Sequence, residues 1–429
     1  MNQQQPRICV GIDWADQEHA ICLIDAARPQ RPEHDSIPQQ PQAIDEWVAG
    51  LRAKFPDQAI AICLEQSKGA LIHALMKYDC LVLYPINPKQ LARFRDALYP
   101  SGAKDDPSDA QLLATFWQQH HERLRLWQPD DAQTRLLAQL VEDRRRFVEQ
   151  RVRLTNALKS RLKQYFPLAL EMLSSLDSHL ACDFLSRFSS LEELQSASAD
   201  DIADVYRAGN CHHPRLVALR IELVGRAVPL TEDPAIVTAS RTLIGGLIVQ
   251  LRGVLDTLAS YDLEIKALMQ QHDDAPLFQG LPGAGDALAP RLLTSFGSDR
   301  SRFESAQQIQ QFAGIAPVTR RSGKQCVVSQ RWACSKFQKQ TFHEFAHHSR
   351  RYSSWASAYY HLQRARGKGH QAAVRALAFK WIRVIHRCWK NRTPYDESIH
   401  LQQLRKHNAP LLKYLHPTDK KQPQSTTNH

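Results

Sequence analysis

Three carboxylates crowd into one stretch, Lys104-Asp105-Asp106-Pro107-Ser108-Asp109-Ala110, of a chain whose formal net charge is +11. Pro107 suits a first helical turn, where its missing N–H has no partner to lose, and Leu112, Leu113, Phe116 and Trp117 continue an apolar helical stripe. On such a helix Asp106 and Asp109 share a face. Carboxylates that close repel one another unless protonated or bridged by a cation, so the stretch reads as half of a hard-metal site. The plainer alternative is an acidic first turn favoured by the helix dipole.

The elements before it supply two more acids. Ile8 to Asp13 is a buried-strand run ending in Asp13, and Ala20 to Ile24 follows as its hairpin or meander partner. Ala59 to Leu64 repeats the pattern and delivers Glu65, ahead of a helix-like segment from Lys68 to Tyr78; Leu81 to Tyr84 and Pro88 to Leu98 add another strand and helix. Alternating strands and helices imply an α/β layer with partly parallel pairing, in which acids at strand ends gather at one edge. Asp13, Glu65, Asp106 and Asp109 could then hold two Mg2+ ions roughly 3.5–4 Å apart for phosphoryl transfer. Acidic turns at strand ends also arise for purely local reasons.

The chain of 429 residues suggests roughly three domains. Its positive charge favours a polyanionic partner, nucleic acid before a membrane surface. No apolar run is read as a membrane span and the first residues lack a signal-peptide core, so a cytoplasmic, non-membrane protein is expected. Nine scattered cysteines without a Cys-x-x-Cys pair indicate neither a disulfide framework nor a zinc knuckle.

After an aperiodic stretch from His120 to Pro129 the chain reads as helical. Leu137, Leu140, Phe147, Leu154 and Leu158 mark a stripe, and the same helix bears Arg144, Arg145, Arg151, Arg161 and Lys163, a candidate phosphate-backbone surface or a solvated face. Ile244, Leu247, Leu251, Val254, Leu258, Tyr261, Ile265 and Leu268 alternate spacings of three and four, a coiled-coil seam that could pair within the chain or between protomers. Leu281-Pro282-Gly283-Ala284-Gly285 is similar to a helix-hairpin-helix turn, whose Gly283 and Gly285 could offer backbone N–H groups to phosphate. Further on, Ser322 lies in a basic loop where Arg320, Arg321 and Lys324 could grip a scissile phosphate. His343-Glu344-Phe345-Ala346-His347 fits the zinc-protease pattern His-Glu-x-x-His, yet no third ligand follows in this basic segment, and both histidines read as helix-face residues.

In order along the chain, Gly11-Ile12-Asp13 with His19, Glu65, Lys104 to Ala110, the Leu-Pro-Gly-x-Gly stretch and Ala313 to Pro317 with Arg321-Ser322-Gly323-Lys324 resemble transposases of insertion sequence family 110. The resemblance runs from Ile8 to about Tyr395. It implies an RNase H-like (RuvC-like) α/β domain with a DEDD metal site over residues 1–125, a helical coiled-coil region over 126–275, a mainly α transposase domain with Ser322 over 276–400, and a largely disordered tail over 401–429. By motif position the acids are Asp13, Glu65, Asp106 and Asp109, using Mg2+, and the nucleophile is Ser322. This sequence departs from the family at Asp105, where threonine is common, so two adjacent aspartates compete for the third carboxylate position.

Function follows from the same resemblance: an insertion-sequence DNA recombinase, guided by a structured bridge RNA, that cuts and rejoins double-stranded donor and target DNA through a covalent phosphoserine. Homodimers assembling into a synaptic tetramer, in which one protomer's acids serve another's serine, and association with the bacterial nucleoid during action are further expectations. Two alternatives stay open: a metal-dependent resolvase or nuclease without a serine adduct, and a non-catalytic nucleic-acid-binding protein.

Overall fold

Large and small apolar residues alternate along two of the strands, and that alternation decides how closely a helix can lie on each face of their sheet. The computed structural model describes residues 6–65, 69–99, 105–323 and 325–415. The chain divides into two units, Met1–Pro129 and Asp130–His429.

In the first unit β1 (Ile8–Asp13), β2 (Glu18–Asp25), β3 (Glu33–Pro38), β4 (Ile60–Leu64) and β5 (Leu81–Pro85) form a sheet in the order β3-β2-β1-β4-β5. β2 runs antiparallel to β1 and β3, while β4 and β5 run parallel to β1. Ile8, Val10, Ile12, Ile60, Ile62 and Leu64 face α1 (Pro41–Lys54) and α2 (Ala70–Leu75), which bury Ile44, Val48, Leu51, Leu71, Ile72 and Leu75 against them. Cys9, Cys22, Ala61 and Cys63 line the opposite, shallower face, covered by α3 (Pro88–Leu98) and α4 (Asp106–His120). These cysteines are free and serve as small core residues, consistent with their spacing in the sequence.

β3 and α1 had no clear signal in the sequence. β3 is an edge strand with one buried residue, Ile37, so no apolar alternation marks it. The expected helix start, Lys68, lies outside the described residues; α2 runs from Ala70 to Leu75 with Gly69 as its N-cap.

Among its described residues the second unit is helical apart from one ribbon. The antiparallel pair α5 (Ala132–Tyr165) and α11 (Pro234–Gln271) joins two cores. Between them come α6 (Ala169–Met172), α7 (His179–Arg187), α8 (Leu191–Ser196), α9 (Ala199–Ala208) and α10 (Pro214–Arg226), which pack with Leu158, Leu162, Ile244, Ile248 and Leu251. The other ends of the pair, through Leu137, Val141, Ile265 and Met269, pack with α12 (Ala275–Gln279), α13 (Gly285–Phe296), α14 (Ala306–Phe312), α15 (Lys336–Ser349), α16 (Ser354–Ala365) and α17 (His370–Asn391). The seam therefore closes within the chain, with Ile248 and Met269 buried where the heptad reading placed Leu247 and Leu268. Contrary to the reading that no run reaches membrane-span length, α11 is long and apolar enough by composition; its buried residues face the two cores.

β6 (Val318–Ser322) and β7 (Gln325–Ser329) make the ribbon. Part of the expected disordered tail is ordered: α18 (Glu397–Lys406) and a 3-10 turn, Pro410–Tyr414, follow α17, and Leu411 is buried in the core because apolar residues spaced along 399–412 have a surface to cover. Residues 416–429 lie outside those described.

Candidate functional site: an acidic sheet edge and a serine ribbon

Asp13 and Glu65 stand at the same edge of the sheet because β1 and β4 are parallel neighbours in register, Ile12 opposite Leu64, and each acid is the next residue. Side chains alternate along a strand. Asp13 therefore shares a face with Cys9 and Gly11, and Glu65 with Ala61 and Cys63, which is the face α4 covers. Gly11 brings α4 down: a β-carbon there would stand 2.0 Å from the Ala110 carbonyl oxygen and 2.7 Å from the Ala114 nitrogen. That contact fixes the helix bearing Asp106 and Asp109 against β1.

The three aspartates of the acidic stretch do different things. Asp105 is the N-cap of α4; its carboxylate accepts from Ser108 N at 2.8 Å in a capping box, and those hydrogen bonds hold its pKa below the usual carboxylate value. Threonine, common there in the resembling family, is another N-cap residue, so the departure preserves a cap. Asp106 is exposed in the first turn, whereas Asp109 is buried and pairs with the Arg95 guanidinium from α3. The shared face inferred from their spacing is thus divided by depth.

Buried His19 supports the turn after Asp13. Its Nδ1 accepts from Ala15 N at 3.2 Å and its Nε2–H donates to Gln39 Oε1. The donor set at this edge is made of carboxylate oxygens, which suits a hard divalent cation. Among the described residues no three His, Cys, Asp or Glu side chains are gathered closely enough to form a metal cluster. Arg95 supplies a positive charge at Asp109.

Ser322 is the last residue of β6, next to Gly323, whose φ of +55° helps form the two-residue connection to β7. Lys324, the other connecting residue, lies outside those described. The register, Arg320 opposite Val327 and Ser322 opposite Gln325, puts Arg320 on the face of Ser322 and Arg321 on the other face with Cys326. Both faces are open; Val327 is 58% and Val328 62% exposed.

The other basic candidates fare unequally. Arg144 pairs with Asp262 at 2.6 Å, Arg145 with Glu149 at 3.3 Å and Arg151 with Asp177 at 3.4 Å, so carboxylates from the same unit offset their charge. Arg161 donates to Gln164, and Lys163 is exposed. Gly283, at φ +80°, is pressed toward the backbone of His348 and Ser349, while Gly285 is open at the start of α13. In the zinc-protease pattern Glu344 accepts from Arg291 at 2.6 Å, His347 contacts Arg350, and His343 lies near the Gln371 carbonyl. Burial, first of all, holds both histidines below the usual histidine pKa. Both histidines stand on α15, whose Glu344 is ion-paired with Arg291.

Two family models match the chain: a DEDD transposase model over residues 10–167, and a model described as the transposase IS116/IS110/IS902 family over residues 275–361. The chain belongs to the IS110 family of transposases. The first match contains all four acids, and the second contains Ser322. This transposase is 28% identical to the mini-circle IS117 transposase of Streptomyces coelicolor, over 90% of this chain and 95% of that one. It is 24% identical to the insertion element IS900 42 kDa protein of Mycobacterium paratuberculosis, over 90% and 97%. It is accordingly a DNA-recombining enzyme, and its DEDD class depends on a divalent metal.

Proposed function

We propose that this transposase cuts and rejoins donor and target DNA through a phosphoserine at Ser322, guided by a structured bridge RNA. The observation that carries the reading is Ser322 at the end of an open ribbon with Arg320 on its own face. Ser322 Oγ attacks the scissile phosphorus, its proton passes to a carboxylate or to solvent, and the bond to a deoxyribose oxygen breaks as that oxygen takes up a proton. A hydroxyl of the strand to be joined then attacks the phosphoserine and releases Ser322. Phosphodiester number is conserved, so no outside energy source is needed. Arg320 would grip a non-bridging phosphate oxygen. Asp13, Glu65, Asp106 and Asp109 would hold Mg2+, two ions by class, which supplies charge stabilisation at the attacked phosphate and departing oxygen.

The first unit is read as RuvC-like and RNase H-like; three antiparallel strands followed by two parallel ones, with the acids at the shared edge, support that reading. Homodimers, a synaptic tetramer that pairs acids and serine from different protomers, and cytoplasmic action at the nucleoid complete it. Mass spectrometry of protein recovered from cells carrying the whole element tests it. A nucleotide remnant on Ser322, lost in Asp106→Ala, is expected. Cleaved DNA without an adduct would instead establish metal-assisted hydrolysis.

A further inference from the structure

Most buried or half-buried arginines of the second unit have a counter-charge: Arg291 meets Glu344, Arg300 meets Asp274 and Arg302 meets Asp130. One face of α17 breaks the pattern. Lys380, Arg383 and Arg387 are exposed along it, spaced three and four apart, and among the described residues none has a carboxylate within ion-pair distance. Arg383 and Arg387 stand one turn apart, about 6 Å along the axis. Partial burial of its side chain first of all, and then Arg383 beside it, hold Lys380 below the usual lysine pKa.

Two open clefts meet at this ridge, all three of its cations lining one of them and Arg383 lining both. One, of about 500 Å3, has Gln307 and Gln311 of α14, Pro317 at the root of the ribbon, and Phe379 in its walls. The other, of about 600 Å3, has Arg387, Asn391, Tyr395 and His400. Each cleft combines amides, which can meet any base edge, with a ring that can stack. The one carboxylate in the second, Asp396, is already capping α18, accepting from Ser398 N at 2.7 Å.

We infer that the Lys380–Arg383–Arg387 ridge seats a single nucleic-acid strand, its phosphates along the ridge and its unstacked bases in the two clefts. The inference rests on the nucleic-acid function proposed above and adds a site and a strand state. A duplex keeps its bases stacked inside and would leave both clefts unused. Pro317 lies five residues before Ser322, about 17 Å along an extended strand, so the seated nucleotides would flank the scissile phosphate.

Full-length protein titrated with labelled oligothymidylate and with a labelled duplex, by fluorescence anisotropy over a range of salt, tests this. Arg383→Gln with Arg387→Gln should weaken single-strand binding at least tenfold and reduce the salt slope by about 1.4, two phosphates at about 0.7 each. Duplex binding should keep its slope. A second measurement, photocrosslinking of iodouracil-containing strand, should label Phe379 or Tyr395. Wild-type protein that binds neither probe would overturn the nucleic-acid reading itself. Normal wild-type binding with an unchanged variant slope would overturn the ridge alone, an equal loss on duplex would overturn the single-strand assignment, and no crosslink in either cleft would overturn the base seats. Matching thermal melts and circular dichroism exclude misfolding as the cause.

Discussion

Gly11 of β1 lies so close beneath Ala110 of α4 that a β-carbon at residue 11 would stand 2.0 Å from the Ala110 carbonyl oxygen. The residue two places after Gly11 is Asp13 and the residue before Ala110 is Asp109, so one backbone approach holds two of the four candidate acids. Gly11→Ala must therefore push α4 outward. The expected outcome is a loss of about 1–3 kcal/mol in denaturant unfolding, as for overpacking in other cores, together with loss of recombination in a cell-based excision assay.

The neighbouring aspartates separate by role. Asp105→Thr should keep the α4 cap, change stability by less than about 1 kcal/mol and retain activity. Asp106→Ala should also leave the fold intact, because Asp106 is exposed, yet abolish DNA joining. Activity measured side by side decides it: an active Asp106→Ala with an inactive Asp105→Thr would assign the metal carboxylate to Asp105.

On the reading proposed above, a divalent cation could take over from Arg95 as a positive charge at Asp109. Arg95→Ala should lower the melting temperature in chelator and recover much of it when Mg2+ is added, with little Mg2+ effect on the wild type. Melting curves with and without the ion give the answer; no recovery would mean that Asp109 is held by Arg95 for structural reasons.

Glu344, the central acid of the zinc-protease pattern, is a partner of buried Arg291. Glu344→Gln should cost about 2 kcal/mol, less than the roughly 3–5 kcal/mol of a fully buried pair because Glu344 keeps a third of its surface. Zinc chelation should change neither stability nor recombination.

Asp131 caps α5, accepting from Thr134 N at 2.9 Å and Thr134 Oγ1 at 2.6 Å. Burial raises its pKa, but the polar surroundings of Ser298, the Thr134 hydrogen bonds and nearby His272 outweigh it and bring the group down to about 2 from 3.8. A depressed folded pKa contributes stability above the unfolded value, lost as pH falls from 3.8 toward 2. Asp131→Asn should flatten the acid limb of the stability profile in that window and leave its slope near neutrality unchanged, as followed by circular dichroism.

Much of the candidate site was legible from type and spacing. Ile8 to Asp13 and Ala59 to Leu64 read as strands ending in acids because buried parallel strands are continuous apolar runs, and Pro107 marked the first turn of α4 because proline tolerates no later position well. What escaped was decided by neighbours. β3 carries one buried residue, so its sequence has no strand pattern. Leu247 and Leu268 satisfy the heptad as well as Ile248 and Met269 do, and only the surfaces that α11 meets choose between them. Arg144, Arg145 and Arg151 look like a phosphate-binding stripe until Asp262, Glu149 and Asp177 are found beside them.

The sequence by itself determined the family and put four acids and a serine forward as the candidate site, because these are matters of residue type in a fixed order. The tertiary structure decided which aspartate caps and which is exposed, which arginine shares a face with Ser322, and which cations are left without a counter-charge. Those outcomes depend on the register of β6 with β7, the depth to which α4 settles on Gly11, and the carboxylates that folding brings within reach, and each is a distance between residues far apart in the chain or across a turn.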